Sequence, residues 1–338
     1  MSLPVAVLGL GVHVPPRIIT NEYFAQMLDT SDEWIHSRTG IRERRFVEKN
    51  VCTSDIAALA AQQALQRAGL EAGEIELIIV ATATPDHLFP STACSVQEKI
   101  QAHHAAAFDV SAGCSGFLYA LSVAVQFVAN GSYRKVLVVG AETLSKFVDM
   151  EDRSTCVLLA DGAGAMIIGG DGERNDFLSF VLEADGRGRQ ALYLPAGGSV
   201  LPASSETVQG RKHFVQMNGR EVYKWAVEKI TQVSRKALDQ ESLSLEDIDY
   251  FVPHQANLRI IEGVAERLHL PPEKILLSLP RYGNTSAASI PITLEEALTA
   301  GRIRPGDLLL MAAFGAGFTW AAGLLRWSWS GCDGQPTL

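Results

Sequence analysis

Residues 106–127, AAFDVSAGCSGFLYALSVAVQF, contain the strand, turn and helix that decide the fold. The stretch begins with an apolar strand pattern and continues through a turn of small residues at 111–113. The helical pattern that follows, 114–130, is apolar on nearly every face. A helix without a polar face is expected to be buried on all sides. The segment therefore predicts a helix layer enclosed between two sheets.

The rest of the first half alternates strand and helix patterns. Short β-rich apolar runs at 76–82 (ELIIVAT), 105–110 and 135–140 (KVLVVG) predict buried strands. A helical pattern covers 53–68. Alternation of this kind predicts βαβ units and a mixed or parallel sheet.

The second half repeats this plan. Residues 275–298, ILLSLPRYGNTSAASIPITLEEAL, show the same order of strand, tight turn, small polar residue and helix as 106–127. The predicted strands are 250–253, 275–279, 307–314 and 318–327, and the predicted helices are 257–268 and 285–300. This self-similarity indicates an α/β fold with a duplicated αβαβα unit. Cys114 and Asn284 then occupy equivalent helix N-termini.

The repeat divides the chain into two halves, residues 1–172 and 173–328, followed by a polar tail at 329–338. Residues 195–212 are rich in Gly, Ser and Pro, and we interpret them as a surface connection.

Composition narrows the class of protein. The chain has 338 residues, of which 47% are hydrophobic and 20% charged, with a formal net charge of −9. These values argue against disorder and against broad binding to nucleic acid or an anionic membrane. The N-terminal MSLPVAVLGLGVHVPP lacks the basic start of a signal peptide, and no apolar run is long enough to span a membrane. A cytoplasmic protein is expected.

The cysteines predict neither disulfides nor a metal site. There are 5 of them, and no two are spaced as C-x-x-C, which disfavours a disulfide framework and thiolate zinc binding. Cys94 lies in a helical pattern and Cys156 in a strand pattern, so both are interpreted as packing residues. Cys52 lies in a loop and Cys332 in the tail.

Cys114 is the candidate nucleophile. It lies after a strand, in a small-residue turn at the start of a helix, where free N–H groups and the helix dipole lower a thiol pKa. The alternative is a buried structural cysteine.

Two further candidates lie where a strand pattern meets a helix. His254 is in FVPHQANLR and Asn284 in RYGNTSAAS, at the strand ends that carry functional groups in α/β folds. A structural histidine and a helix N-cap are the alternatives. Residues 315–317, Gly-Ala-Gly, allow close approach of a ligand or form a hairpin turn. Residues 161–164 are interpreted as a tight turn into a strand at 165–169.

Six segments in order carry a family resemblance: DTSDEWIHSRTGIRERR, AGCSGF, EDRSTCVLLADGAGA, VPHQANLRI, YGNTSAAS and AFGAGFTW. Together, from Val5 to Trp327, they resemble the β-ketoacyl-[acyl carrier protein] synthase III family, the initiating condensing enzymes of fatty-acid synthesis within the thiolase superfamily. The resemblance implies the thiolase fold, a homodimer and no cofactor or metal.

The resemblance also implies a mechanism. Cys114, His254 and Asn284 match the Cys-His-Asn triad of the family, which condenses a short acyl-CoA with malonyl-[acyl carrier protein] through an acyl-cysteine. The backbone N–H groups of Cys114 and Ala316 match an oxyanion hole. Family members frequently have glycine at the position of Ala316. An alanine there requires a backbone conformation allowed for a non-glycine residue, and its methyl group is expected to narrow the space near the acyl group.

Binding residues follow from the same resemblance. The implied CoA contacts are Thr30, Trp34, Arg38, Arg153 and Asn257. The implied carrier-protein contacts are Lys224, Arg259 and Arg267, and Glu266 weakens that basic patch. Arg220 and Tyr223 are expected at the tunnel entrance, and Phe89 is expected to close the acyl pocket of a partner subunit.

Alternative functions stay open from the sequence. A condensing enzyme or acyltransferase of specialised metabolism with a different starter, or a hydroxymethylglutaryl-CoA synthase, shares the Cys-His chemistry. A degradative thiolase needs a second cysteine near 314–317, where there is none. A non-catalytic subunit that binds carrier protein has no need of Cys114, His254 and Asn284.

Overall fold

A computed structural model describes residues 3–170 and 175–331. The strands are β1 (Ala6–His13), β2 (Ile18–Thr20), β3 (Glu43–Arg45), β4 (Leu77–Ala81), β5 (Ala106–Val110), β6 (Lys135–Thr143), β7 (Asp161–Gly169), β8 (Phe177–Ala184), β9 (Leu192–Tyr193), β10 (Gln216–Met217), β11 (Tyr250–Pro253), β12 (Leu308–Gly315) and β13 (Thr319–Arg326). The helices are α1 (Asn21–Ala25), α2 (Asp32–Thr39), α3 (Thr53–Ala68), α4 (Thr92–Lys99), α5 (Gly116–Ala129), α6 (Ser205–Gln209), α7 (Gly219–Gln240), α8 (Leu258–Leu268), α9 (Leu279–Tyr282) and α10 (Ser289–Thr299).

Two mixed sheets carry the core. The first has the strand order β1-β7-β6-β4-β5, with β4 parallel to both of its neighbours and β7 antiparallel to β1 and β6. The second has the order β11-β12-β13-β8, with only the β11–β12 pair parallel. β2 pairs with β3, and β9 with β10, in two small ribbons.

Two helices form the layer between the sheets. α5 contacts β4 and β6 of the first sheet and β12 and β13 of the second, and α10 contacts β1, β7 and β11. α3 and α4 cover the outer face of the first sheet, and α7 and α8 pack outside the second. The predicted α/β thiolase-like layering is therefore confirmed.

One face of α5 departs from the prediction of burial on all sides. Gln126 is exposed, and Val123 and Phe127 are only half-buried. Val123 and Phe127 belong to the apolar cluster that includes Phe108 and Val110 of β5. Gln126 lines a surface pocket with residues 177–180 of β8.

Two equivalent turns precede the central helices. Gly113–Ser115 and Ser286–Ala288 are both 3-10 turns, and they pack against each other. A side chain at Gly140 would lie 2.4 Å from the carbonyl oxygen of Ala287, so this glycine lets the second turn rest directly on β6. Each central helix therefore begins with the same kind of turn, as predicted, but Cys114 lies inside the first turn whereas Asn284 lies two residues before the second.

Two predicted elements differ from the structure. Residues 275–279 form a single bridge from Ile275 to Phe251 rather than a strand, and α9 begins at Leu279. Pro280 favours that helix, because the first turn of a helix does not use its N–H groups. The predicted turn at 161–164 is the start of β7. Its small residues serve packing, since a side chain at Gly164 would lie 2.5 Å from Pro291 in α10.

The cysteine predictions have mixed outcomes. Cys156 is buried as expected, but it lies in a turn rather than a strand. Cys94 lies in α4 as expected, but its side chain is exposed. Cys332 and the predicted boundary at 172/173 lie outside the described residues. Of the predicted tail, 329–331 are described, and Trp329 packs edge-on against Trp327.

Candidate active site

Cys114, His254 and Asn284 line one cavity of about 450 Å³. They come from the turn before α5, the end of β11 and the turn before α10. Apolar side chains, among them Phe314 and Met217, line other parts of the cavity. A concave apolar site with a few converging polar groups is the expected form of a small-molecule site.

The Cys114 turn is anchored to the second sheet. Ser115 Oγ donates to the carbonyl oxygen of Ala112 at 2.8 Å and lies 2.7 Å from Thr319 Oγ1 in β13. Thr319 Oγ1 also lies 2.8 Å from that carbonyl oxygen. These contacts fix the start of α5 against β13.

The protonation of Cys114 differs from the prediction. Cys114 is partly accessible from the cavity, yet the pKa of its thiol is raised to about 11, chiefly by burial and also by the charge of Glu142. The Ser286 side chain and the local N–H lower it, but desolvation is larger. Burial therefore raises the pKa of Cys114, in the direction opposite to the lowering expected at the helix start.

His254 is neutral and oriented. Its side chain is 3% exposed, and burial lowers its pKa to about 3. The backbone N–H donates to Ala312 in β12 at 2.8 Å. Nδ1 lies 2.7 Å from Ser289 Oγ, which leaves Nε2 as the ring nitrogen available to a ligand.

Asn284 is held through its backbone. Its N–H donates to Leu158 and its carbonyl oxygen accepts from Ala160, both at 2.9 Å. The side-chain Oδ1 accepts from the Ser286 N–H at 2.9 Å. This fixes the orientation of the amide and leaves Nδ2 without a hydrogen bond to any described residue. Asn284 thus stabilises the turn before α10 and offers an N–H donor to the cavity.

The turn at 315–317 packs over the Cys114 turn. A side chain at Gly113 would lie 2.7 Å from Ala316 N and 3.3 Å from its methyl carbon. The Ala316 N–H therefore lies beside the nucleophile turn, as the resemblance requires. Gly317 has φ 143, but Ala316 is outside the left-handed region, so alanine is accommodated there without backbone strain. Its methyl group packs toward Gly113.

The residues predicted to bind CoA occupy two places. Arg38 and Asn257 line the cavity of the triad, and Asn257 Nδ2 donates to the Arg38 carbonyl oxygen at 3.2 Å. Trp34 and Arg153 form a separate pair, with Arg153 Cζ 4.7 Å from the centroid of the Trp34 ring. Thr30 Oγ1 is buried and has no hydrogen-bond partner among the described residues.

The other predicted contacts lie outside the triad. Arg220, Tyr223 and Arg259 line the cavity, consistent with an entrance. Lys224 on α7 and Arg259 and Arg267 on α8 are exposed, and the two helices pack together. Glu266 is exposed beside them. Phe89 is 85% exposed and is not among the residues that line the cavity of its own chain.

Sequence reasoning missed three polar residues of the site. Ser286 and Ser289 belong to the NTSAAS segment and follow Asn284 at short spacing. Glu142 is buried at the end of β6. A charged residue that ends the apolar run KVLVVGAET was the signal that could have identified it.

Within 3–170 and 175–331, no group of three or more His, Cys, Asp or Glu side chains is placed to hold a metal ion. None of the helices in that part of the chain combines the length and the apolar character needed to cross a membrane.

Comparisons with known proteins identify the family of the chain. The family model 3-oxoacyl-[acyl-carrier-protein (ACP)] synthase III matches residues 108–186, and the model of its C-terminal part matches 238–327. A β-ketoacyl-[acyl-carrier-protein] synthase III of Syntrophomonas wolfei is 51% identical over 325 residues, covering 96% of this chain and 98% of the relative. The solved structure of such a synthase from Thermus thermophilus is 47% identical, with a TM-score of 0.88 over 96% of this chain and 99% of that chain.

A third comparison concerns polyketide biosynthesis. The structure of a priming β-ketosynthase from the R1128 polyketide biosynthetic pathway is 34% identical, with a TM-score of 0.90 over 97% of each chain.

The fold and these relatives define the class of protein: it is a thiolase-fold condensing enzyme that transfers acyl groups. Within that class, the chain belongs to the β-ketoacyl-[acyl carrier protein] synthase III family.

Proposed function

We propose that this enzyme condenses a short acyl-CoA with malonyl-[acyl carrier protein] through an acyl-Cys114 intermediate, with release of CO₂. The reaction initiates fatty-acid synthesis, the role of its family. The observation that carries the assignment is the convergence of Cys114, His254 and Asn284 in one apolar cavity.

In the first half-reaction, the sulfur of Cys114 attacks the thioester carbonyl carbon, and the carbon–sulfur bond to CoA breaks. Because the resting thiol is neutral, its proton must leave as the bond forms. Neutral His254 accepts that proton through Nε2 and delivers it to the departing CoA sulfur. The N–H groups of Cys114 and Ala316 receive the developing oxyanion.

In the second half-reaction, malonyl thioester loses CO₂ and leaves an enolate. Its oxygen accepts hydrogen bonds from His254 Nε2 and Asn284 Nδ2. The enolate carbon attacks acyl-Cys114, the carbon–sulfur bond breaks, and the sulfur leaves as a thiolate that takes up a proton from water. In the first half-reaction the neutral ring is protonated at Nδ1, so Nε2 can accept; in this step it is protonated at Nε2, with Nδ1 accepting from the Ser289 O–H. The neutral ring donates this hydrogen bond without the second proton of an imidazolium, which would quench the carbanion.

The substrates enter through the cavity mouth. Arg38 and Asn257 flank the pantetheine path, and Thr30, Trp34 and Arg153 receive the nucleotide end of CoA. An aromatic face and a guanidinium plane can hold a base between them. Exposed Lys224, Arg259 and Arg267 (with Glu266 reducing the positive charge) receive the acidic carrier protein.

We further propose a homodimer that forms at β5. β5 pairs only with β4 among the described strands, and Phe108 and Val110 on it are half-buried. The half-buried Val123 and Phe127 of α5 extend this apolar surface. An unpaired strand edge can form hydrogen bonds with a strand of another subunit. Pairing of β5 with β5 of a second subunit, about a twofold axis, would join the two sheets. Exposed Phe89 would then reach the acyl pocket of the partner subunit.

The remaining assignments follow the family. The halves 1–172 and 173–328 act as one catalytic unit in the cytoplasm, followed by the tail at 329–338. No cofactor or metal is needed, because the thiol, the imidazole, the amide and the backbone N–H groups supply every step. Nucleic acid and membrane are not partners.

Intact-protein mass after incubation with a panel of acyl-CoAs tests this function. The expected result is a gain of one acyl group in the wild type and none in Cys114→Ala, with Cys94→Ala as the matched control that still acylates. Acylation that persists in Cys114→Ala would refute the nucleophile. A strong preference for branched or long acyl-CoA over acetyl-CoA would favour the specialised starter that the R1128 relative represents.

A further inference from the structure

The two backbone N–H groups of the oxyanion hole come from turns that belong to different sheets. Cys114 follows β5 of the first sheet, and Ala316 follows β12 of the second. A side chain at Gly315 would lie 2.6 Å from the Cys114 nitrogen, and one at Gly113 would lie 2.7 Å from the Ala316 nitrogen. Each nitrogen therefore lies beside a glycine of the other turn. The relative position of the two turns sets the separation of the two donors.

A cluster of three oxygen atoms joins these turns. Ser115 Oγ and Thr319 Oγ1 lie 2.7 Å apart, and each lies 2.8 Å from the carbonyl oxygen of Ala112. Thr319 Oγ1 also lies 3.2 Å from the carbonyl oxygen of Ala316. Each hydroxyl carries one hydrogen, so the two hydrogens are shared among these acceptors. The cluster thus contacts residues on both sides of Cys114 and also the residue that supplies the other donor.

Thr319 contributes more than the nucleophile turn needs for its own hydrogen bonding. Ser115 is 0% exposed, and a buried hydroxyl requires a partner. It has one in the Ala112 carbonyl oxygen within the same turn. Thr319 is the first residue of β13 and pairs with Gly315 of β12 and Ala184 of β8, so strands on both sides fix its backbone. Its hydroxyl therefore links a rigid strand of the second sheet to the nucleophile turn.

We propose that Thr319 and Ser115 are positioning residues of the oxyanion hole, which hold its two N–H groups at the separation that a tetrahedral oxyanion requires. The inference rests on the proposed acyl transfer to Cys114. Donors stabilise an oxyanion when they are aimed at its position before the charge develops. Loss of the Thr319 hydroxyl leaves both N–H groups in place but removes the link between their turns, so their spacing is no longer fixed.

The test compares two reactions of the Cys114 sulfur. Acylation by acetyl-CoA or isobutyryl-CoA, whichever acylates the wild type faster, passes through an oxyanion. Alkylation by iodoacetamide takes place at a saturated carbon and forms none. Both rates are followed at one pH by the mass of the Cys114 peptide. Thr319→Val should slow acylation about tenfold, less than the roughly 10²–10³-fold for loss of a whole donor, and should change alkylation by less than about twofold.

Thr319→Ser separates the role of the hydroxyl from that of packing. Serine keeps the hydroxyl and lacks the methyl group, whereas valine keeps the branched shape and lacks the hydroxyl. Positioning predicts that Thr319→Ser acylates near the wild-type rate, and a packing role predicts the reverse order of the two variants. Thr231→Val is the matched control, because Thr231 is also buried and donates to a carbonyl oxygen, that of Val227 at 2.7 Å. It should leave both rates unchanged.

A ratio of acylation to alkylation that is the same in Thr319→Val and the wild type would overturn the proposal. Slower acylation in Thr319→Ser than in Thr319→Val would do the same. If Thr319→Val does not fold, Ser115→Ala replaces it. A smaller fall in the ratio is then expected, because Thr319 still donates to Ala112, and an unchanged ratio would overturn the proposal. A wild type that is alkylated but takes no acyl group from either thioester would instead refute the proposed function, and this inference with it.

Discussion

The Nδ1 atom of His254 lies 2.7 Å from the Oγ atom of Ser289, the first residue of α10. Both side chains are buried. Asn284 lies in the turn that leads into the same helix. One short segment therefore supplies the amide of the site and also orients the imidazole, so two members of the triad depend on the geometry at the start of α10.

Ser289→Ala should slow both half-reactions about tenfold, because a lost buried hydrogen bond costs roughly 1–1.5 kcal/mol and His254 acts in both. Acyl transfer and CO₂ release are measured separately. Ser234→Ala is the matched control, since Ser234 Oγ is buried without a hydrogen-bond partner among the described residues. Unchanged rates in Ser289→Ala would show that the contact does not orient the ring.

Asn284→Ala should slow malonyl decarboxylation on the order of 100-fold and leave acylation of Cys114 largely intact, because the amide donor acts on the enolate. The two half-reactions are followed by CO₂ release and by intact mass. Asn130→Ala, at the exposed end of α5, is the control. Equal losses in both half-reactions would indicate a structural asparagine only.

Trp34→Ala and Arg153→Ala should raise the KM for acyl-CoA about tenfold, the size of a stacking and cation–π contribution. The kcat/KM for an acyl-pantetheine that lacks the nucleotide should not change. Arg211→Ala is a matched control, because Arg211 also packs on an aromatic ring, with Cζ 5.4 Å from the centroid of Phe214. A similar loss with both thioesters would contradict nucleotide binding by the pair.

Glu142 should make stability pH-dependent. Its pKa is raised from 4.5 to about 7 in the folded protein, so the folded state binds more protons than the unfolded chain in that window. The stabilising contribution is present below pH 4.5 and is lost as pH rises through 7. The Tm of Glu142→Gln relative to wild type should therefore increase from pH 5 to pH 8, by the equivalent of on the order of 3 kcal/mol.

The Tm of Asp161→Asn relative to wild type should also increase with pH, but over a lower pH range. The reason is that burial raises the pKa of Asp161 from 3.8 to about 6. The check is thermal unfolding of each variant beside wild type at fixed scan rate. A relative Tm that decreases with pH would contradict the inferred shifts.

If the proposed dimer forms at β5, Ala107→Pro should convert it to a monomer. Ala106 N donates to Glu76 and Val110 O accepts from Thr82, so alternate residues of β5 face β4 and the N–H of Ala107 points away from the sheet. Proline there removes only an outward donor. Size-exclusion chromatography with light scattering measures the mass. Phe108→Pro, which removes a donor that faces β4, is expected to destabilise the subunit itself. A dimer that persists in Ala107→Pro would place the interface elsewhere.

Local patterns predicted much of the fold. The apolar helix after Cys114, the strands at 76–82 and 135–140 and the helix at 257–268 follow from periodicity, which depends on each residue's immediate neighbours. The strand predicted at 275–279 does not form, because strand pairing depends on distant residues as well as on local pattern. An apolar run becomes a strand only where the edge of another strand continues beside it. Ile275 finds one bridge to Phe251.

The sequence by itself determined the alternation of buried strands and helices, the two helix starts that carry Cys114 and Asn284, and the family to which these motifs belong. Only the tertiary structure decided that burial raises the pKa of the Cys114 thiol, that His254 is oriented by Ser289 and that Glu142 is buried with a hydrogen bond from Ser286. The physical reason is that desolvation and hydrogen bonding depend on which distant segments exclude water from a group, and sequence spacing does not specify those neighbours.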